Sequence, residues 1–210
     1  MIDSIIFDLD GTLWDSTDVV AKAWNCVIAE ETDLDLRVTG DDLKNLFGRL
    51  LKDIAAVIFA EEPKERQLEL IDLCCQEQHR ALLRTPGSLY ERLEDMLKIL
   101  SEKYRLFIVS NCQAGYIEIF LKSTGLSRYF VGHLCPGDTG KPKASNIKTI
   151  VETYDLKSPV YVGDTIGDYH ASKEAGLPFI YASYGFGQVE QPDAIITCPM
   201  DLTKTISQLS

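Results

Sequence analysis

The 210-residue sequence lacks any apolar run approaching the roughly 18 residues of a membrane-spanning helix, so no membrane partner is expected. It is also short of positive charge. Its 21 Lys and Arg stand against 32 Asp and Glu, a net charge of −11. Nucleic-acid binding needs a basic face, which excludes nucleic acid as a partner. A small anionic substrate is not excluded, because local lysines and a metal can reverse the field inside one cleft. Histidine is scarce, and His79, His133 and His170 stand far apart with no ligand spacing. None of the six cysteines forms a C-x-x-C pair, and no zinc spacing appears. Reduced, packed thiols fit a reducing compartment. No basic segment precedes the first apolar run, which is too short for a signal peptide. Repeats and low-complexity tracts are missing too. The expectation is a soluble, cytoplasmic protein, and the length suits a single medium domain or a core with a modest insertion.

Apolar runs alternating with helical patterns fill most of the chain. Ser4 to Phe7, Tyr104 to Val109, Tyr129 to Leu134, Pro159 to Val162, Pro178 to Tyr181 and Asp193 to Ile196 read as strands. Helical spacing is expected over 114–123, 143–154 and 168–175, with Gly125 and Gly176 as stop signals. Continuous apolar runs between helices indicate an α/β protein with a parallel sheet covered on both faces. Residues 16–84 carry no strand signal. They read as helices over 19–30, 50–60 and 63–83, with Asp15-Ser16-Thr17 offering an N-cap and a capping box from Thr39 to Asp42. Thr85-Pro86-Gly87 is a hinge, and Ser88 to Glu91 reads as a second capping box opening a helix through Leu100.

Ligands of such sheets sit outside the carboxyl ends of the strands. The polar residues with chemical potential fall at those ends: Asp8 and Asp10 after the first strand, Ser110-Asn111 after another, Asp164 after a third. Asp8 and Asp10 are two apart, so on extended backbone they face one side, and Gly11 lets the chain turn away. Two acids that close repel unless a cation or a proton neutralises them. Alone, the pair reads equally as a solvated acidic turn.

Asp8-x-Asp10-Gly11-Thr12, Ser110-Asn111, a lysine near 141–143 and Gly163-Asp164-Thr165-x-x-Asp168 together resemble the haloacid dehalogenase superfamily of aspartate-nucleophile phosphotransferases. The opening through Ser16, the 168–176 helix and Tyr184-Gly185-Phe186-Gly187 with Pro192-Asp193 resemble its phosphoglycolate-phosphatase-like branch. The resemblance implies a Rossmann-like, doubly wound core over 1–15 and 86–210, with 16–85 as an inserted all-helical cap domain.

It also implies roles. Asp8 would attack phosphorus in line and form an aspartyl-phosphate, and Asp10 would serve as acid and then base. Mg²⁺ would be held by the Asp8 carboxylate, the Asp10 carbonyl and Asp164, with Asp168 at the metal's margin. Ser110, Asn111 and Thr12 would meet the phosphoryl oxygens. Lys141, in a Lys-Pro pair, or Lys143, opening a helix, would supply the side-chain cation; helix register and the Gly140 turn favour Lys143. Arg49, after Gly48 in a loop between cap helices, would reach the substrate.

The expected activity is Mg²⁺-dependent hydrolysis of small phosphorylated metabolites, phosphoglycolate-like or sugar phosphates, by a monomer or homodimer. The alternative is a phosphomutase of the beta-phosphoglucomutase type on the same scaffold. Asp10 argues against a carbon–halogen dehalogenase. A phosphonate hydrolase needs a cap lysine, for which Lys44 and Lys52 have no telling context. The intact set of acids, serine and lysine argues against a non-enzymatic binding module.

Overall fold

A computed structural model describes residues 2–209. The chain opens with β1 (Ser4–Phe7) and, after a tight turn, β2 (Trp14–Asp15). Four helices follow: α1 (Thr17–Glu31), α2 (Gly40–Lys44), α3 (Leu51–Ile58) and α4 (Lys64–Arg84). Next come β3 (Ser88–Leu89), α5 (Leu93–Ser101), β4 (Arg105–Val109), α6 (Tyr116–Thr124), β5 (Phe130–Leu134), α7 (Pro136–Thr139) and α8 (Lys143–Thr153). The last elements are β6 (Pro159–Gly163), α9 (Ile166–Glu174), β7 (Phe179–Ala182), β8 (Ala194–Ile196) and α10 (Leu202–Gln208).

Six strands form one parallel sheet in the order β5-β4-β1-β6-β7-β8. Successive side chains on a strand point to opposite faces, and both faces are apolar here. Ile5 and Phe7 join one core with Leu97 of α5 and Ile117 and Phe120 of α6. Ile6, Phe107 and Tyr161 join another with Ala144 and Ile147 of α8 and Ala171 of α9. The chain runs outward from β1 to β4 and β5, then returns to start β6 on β1's other side. That reversal between β1 and β6 opens a crevice at their carboxyl ends.

Helices α1 to α4 contribute no strand to the sheet. Their Trp24, Val27, Leu70 and Cys74 join the same core as Ile5 and Phe7, and the Trp24 indole donates to Gln78 Oε1 at 2.7 Å. The expected capping box from Thr39 to Asp42 is present.

One expectation is corrected. Ser88 to Glu91 is not a capping box: β3 pairs antiparallel with β2, Trp14 opposite Leu89, and α5 starts at Leu93 after a left-handed Arg92 at φ 57°. The chain leaves and re-enters the core there side by side, and a Cβ on Gly87 would sit 2.9 Å from the Asp15 carbonyl. Pairing with a distant segment outweighs the local capping signal. Ser16 does sit at the N-cap of α1, but its hydroxyl caps nothing there. Asp15 instead accepts from the Thr17 backbone N–H and hydroxyl. Finally, α7 and α10 carry too few residues to show a helical period in sequence. Among the described residues no helix is long and apolar enough to cross a membrane.

Candidate active site

Asp8 leaves β1 buried, 2% exposed, its N–H donated to the Val162 carbonyl at 2.8 Å. The parallel ladder therefore continues one residue past the strand and fixes the carboxylate at the crevice. The chain then doubles back, with Thr12 and Leu13 N–H groups on the Leu9 carbonyl and Gly11 N–H on that of Trp14. Gly11 has φ +82°, and a Cβ there would lie 2.1 Å from Asp164 Oδ2. Only glycine fits both the turn and the close approach of the β6 end.

Asp164 follows β6 and is fully buried. Its carboxylate accepts from the Phe186 N–H at 2.8 Å and the Thr12 hydroxyl at 3.3 Å. Four residues on, Asp168 closes a capping box with Thr165 at the start of α9, which aims Asp168 back into the crevice. Its Oδ2 accepts from Thr165, and its Oδ1 takes a bond from Lys143 Nζ at 2.5 Å.

Lys143 is the first residue of α8 and only 4% exposed. Its ammonium also donates to Asp8 Oδ1 at 2.8 Å. The preceding turn is held by the Thr139 hydroxyl bonded to Asn146 Oδ1 and by Asn146 Nδ2 donating to the Lys141 carbonyl. That turn points Lys143 inward and leaves Lys141 exposed. Of the two lysines named from sequence, Lys143 is the one in the cluster.

Asp8, Asp164 and Asp168 bring carboxylate oxygens within 4.8 Å of one another, all buried. One ammonium faces three carboxylates. Burial, then the neighbouring Asp168, raises Asp8 to about 6 despite Lys143. Burial and the other two acids push Asp164 well up. Lys143 is raised because the attraction of Asp168 and Asp8 outweighs its burial, so it stays charged. A pit of hard oxygen donors with an unbalanced negative charge is chemically suited to a divalent cation such as Mg²⁺.

Asp10 sits apart from this pit, half-buried. Its Oδ1 accepts from the Ser16 hydroxyl at 2.8 Å and the Tyr116 phenol at 2.9 Å. Burial raises it to about 7, against the lowering by those two donors. The two acids of the opening motif thus have different surroundings, one clamped by a cation and one by neutral hydroxyls.

Ser110, buried at the end of β4, lies against Asp8 and lowers its pKa by hydrogen bonding. Asn111 reaches across to the loop between α2 and α3, donating from Nδ2 to the Gly48 carbonyl at 2.8 Å, while its Oδ1 is buried without a partner among the described residues. Thr12 is held on Asp164, as above. Arg49 is exposed and is not brought into the cluster. Trp14 packs on Phe120 and Tyr116 beside the hinge.

A cavity of about 30 Å³ between the helical segment and the sheet is bordered by Asp8, Asp10, Ser110, Phe47 and Gly48. It has room for about one water. A larger void of about 520 Å³ adjoins it and shares Leu51, Asn111, Cys112 and Gln113 with it. His79 lines that void, stacks on Tyr116 and contacts Gln113 at 3.0 Å.

Sequence reasoning did not single out Tyr116, Ser16 as a partner of Asp10, or His79. Tyr116 falls on the apolar stripe of α6 with Ile119 and Phe120, where an aromatic reads as core. Ser16 carries an N-cap signal. A lone His79 on a long helix carries no signal.

The sequence profile described as haloacid dehalogenase-like hydrolase matches residues 5–182. A phosphoglycolate phosphatase of Agrobacterium fabrum is 30% identical, with 91% of this chain and 86% of that protein covered. An N-acetylmuramic acid 6-phosphate phosphatase of Pseudomonas putida is 23% identical, with 97% and 95% covered. Among solved structures, a haloacid dehalogenase-like family hydrolase from Streptococcus pneumoniae superposes with a TM-score of 0.84 at 23% identity, covering 98% of each chain.

Proposed function

The chain belongs to the haloacid dehalogenase-like hydrolase family, and from that premise we propose that it is a metal-dependent phosphatase of small phosphomonoesters acting through an aspartyl-phosphate on Asp8. The observation that carries the reading is the convergence of Asp8, Asp164, Asp168 and Lys143 beside a separately held Asp10. Relatives named as phosphatases of phosphoglycolate and of an amino-sugar phosphate support the reaction class.

In this reading Asp8, Asp164 and the Asp10 carbonyl would hold Mg²⁺, with Asp168 at its margin. Both Asp168 oxygens are already committed, one to Lys143 and one to Thr165, so its part is to aim the lysine. The metal, when bound, neutralises phosphoryl charge so that an anionic nucleophile can approach. Lys143 keeps Asp8 oriented and offers its ammonium to a phosphoryl oxygen, joined there by Ser110. An Asp8 carboxylate oxygen attacks phosphorus while the bond to the leaving oxygen breaks, and protonated Asp10 delivers its proton to that oxygen. Water then attacks the phosphorus of the acyl phosphate, Asp10 takes its proton, and Asp8 is released with inorganic phosphate. A carboxyl raised to about 7 populates both forms near neutrality, which suits that double duty.

Residues 16–85 act as the cap domain. Phe47 rests against Phe186, Lys44 lies 3.7 Å from Asp15, and Asn111 holds Gly48, so the helices stand closed over the site. A space for about one water admits no ester. Substrate access therefore requires these helices to swing about the paired β2 and β3, and closure excludes bulk water.

The test is phosphate release from a panel of phosphomonoesters with Mg²⁺, with chelator, and with Asp8→Ala. Release that survives excess chelator contradicts the metal assignment. Wild-type turnover by Asp8→Ala contradicts the nucleophile. Sugar phosphate isomerisation without net phosphate release would assign a mutase instead.

A further inference from the structure

Resting on the phosphatase reading of this site, we propose that the enzyme is selective for phosphomonoesters with an uncharged, hydroxyl-bearing leaving group. Polyol and simple sugar phosphates fit this class. Esters with a second anionic group on the leaving side, a carboxylate or another phosphate, are disfavoured.

The catalytic cavity of about 30 Å³ is too small for a leaving group in this closed arrangement. The neighbouring space of about 520 Å³ shares Leu51, Asn111, Cys112 and Gln113 with it and is assigned to the leaving group. Its lining contains no lysine or arginine. The polar groups are amides, the His79 imidazole and Asp72, an exposed carboxylate on α4. Burial holds His79 below its ordinary pKa, so it is neutral near pH 7.

A separate void of about 380 Å³, which shares no lining residue with the catalytic cavity, is bordered by Asp15, Asp41 and Lys44. Its lysine is matched by two carboxylates, Asp41 at 3.2 Å and Asp15 at 3.7 Å. Arg49 borders neither void. Among the described residues, the space beside the catalytic cavity thus presents one carboxylate and no cation. A carboxylate entering it would lose water, find no cation and face an aspartate. Hydroxyls, by contrast, can both donate to and accept from Gln113 and His79.

Matched pairs isolate charge from size: phosphoglycolate against hydroxyethyl phosphate, and phosphoglycerate against glycerol phosphate. With Mg²⁺ and purified protein, kcat/KM is expected to favour the neutral member of each pair by about tenfold or more, equivalent to about 1.4 kcal/mol. Gln76→Arg places a cation on an exposed position of α4 that borders the larger void and takes no part in the chemistry. It is expected to narrow the gap at least fivefold by raising kcat/KM for phosphoglycolate, with hydroxyethyl phosphate changed less than twofold. Phosphoglycolate turned over as well as, or better than, hydroxyethyl phosphate overturns the proposal while leaving the phosphatase reading intact. An unchanged ratio in Gln76→Arg overturns the placement of the leaving group and with it the proposal. No phosphate released from any member overturns the phosphatase reading itself, and this inference falls with it.

Discussion

At the scale of single residues, the two acids of the opening motif are separated by what touches them. Asp8 shares Lys143 with Asp168, whereas Asp10 Oδ1 receives the hydroxyls of Ser16 and Tyr116. Tyr116 therefore acts as a positioning residue. Tyr116→Phe should lower kcat about tenfold on an alkyl phosphate, whose leaving oxygen needs a proton, and change p-nitrophenyl phosphate turnover less than twofold. Equal losses on both would mean that the phenol only maintains packing. A second consequence concerns pH. Asp8 and Asp10 are raised to about 6 and about 7 by burial, so the folded protein keeps protons that the unfolded chain has already released. Their contribution to stability is complete below about pH 4 and is lost as pH rises through the folded values. Metal-free protein should melt progressively lower as pH is raised from about 5 to about 7.5, and Asp10→Asn should flatten that slope. Identical slopes for the two proteins would contradict the assignment.

At the scale of elements, α1 and α4 are tied by a buried polar contact inside an apolar interface, the Trp24 indole on Gln78. Gln78→Leu leaves the indole N–H without an acceptor. The expected loss is about 1–3 kcal/mol in urea unfolding, with the β-sheet core unaffected. A smaller loss would show that water reaches Trp24. Elements also show where sequence was legible. The six sheet strands are legible as apolar runs that no polar surface strand would carry, whereas their order in the sheet is not. The Thr39 and Thr165 capping boxes organise their own helices within four residues, so local reading reaches the first and shows the second's residues in place. The Ser88 signal failed because a partner strand lies some seventy residues away in sequence, and its pairing is invisible to local pattern. The same reason hides Tyr116 on Asp10 and the choice of Lys143 over Lys141.

At the scale of the whole molecule, the pit of Asp8, Asp164 and Asp168 is expected to make stability depend on a cation. Mg²⁺ should raise the melting temperature of the wild type, by about 2.7 kcal/mol of stabilisation at a hundredfold excess over Kd, and chelator should reverse it. Asp164→Asn removes a ligand and also a buried like charge, so the metal-free variant should melt at or above the wild type yet gain nothing from Mg²⁺. A variant that still responds fully would place the ion elsewhere.

Sequence alone determined the parallel α/β core, the helical character of residues 16–84 and the strand ends that carry Asp8, Asp10, Ser110 and Asp164. Those properties reside in local periodicity and in the rule that places ligands at carboxyl ends of strands. Tertiary structure alone decided which lysine enters the pit, which hydroxyls hold Asp10, how little space remains over the site and that no unmatched cation borders it. Each of these depends on groups brought together from distant parts of the chain, and their burial and distance set the charge of the site.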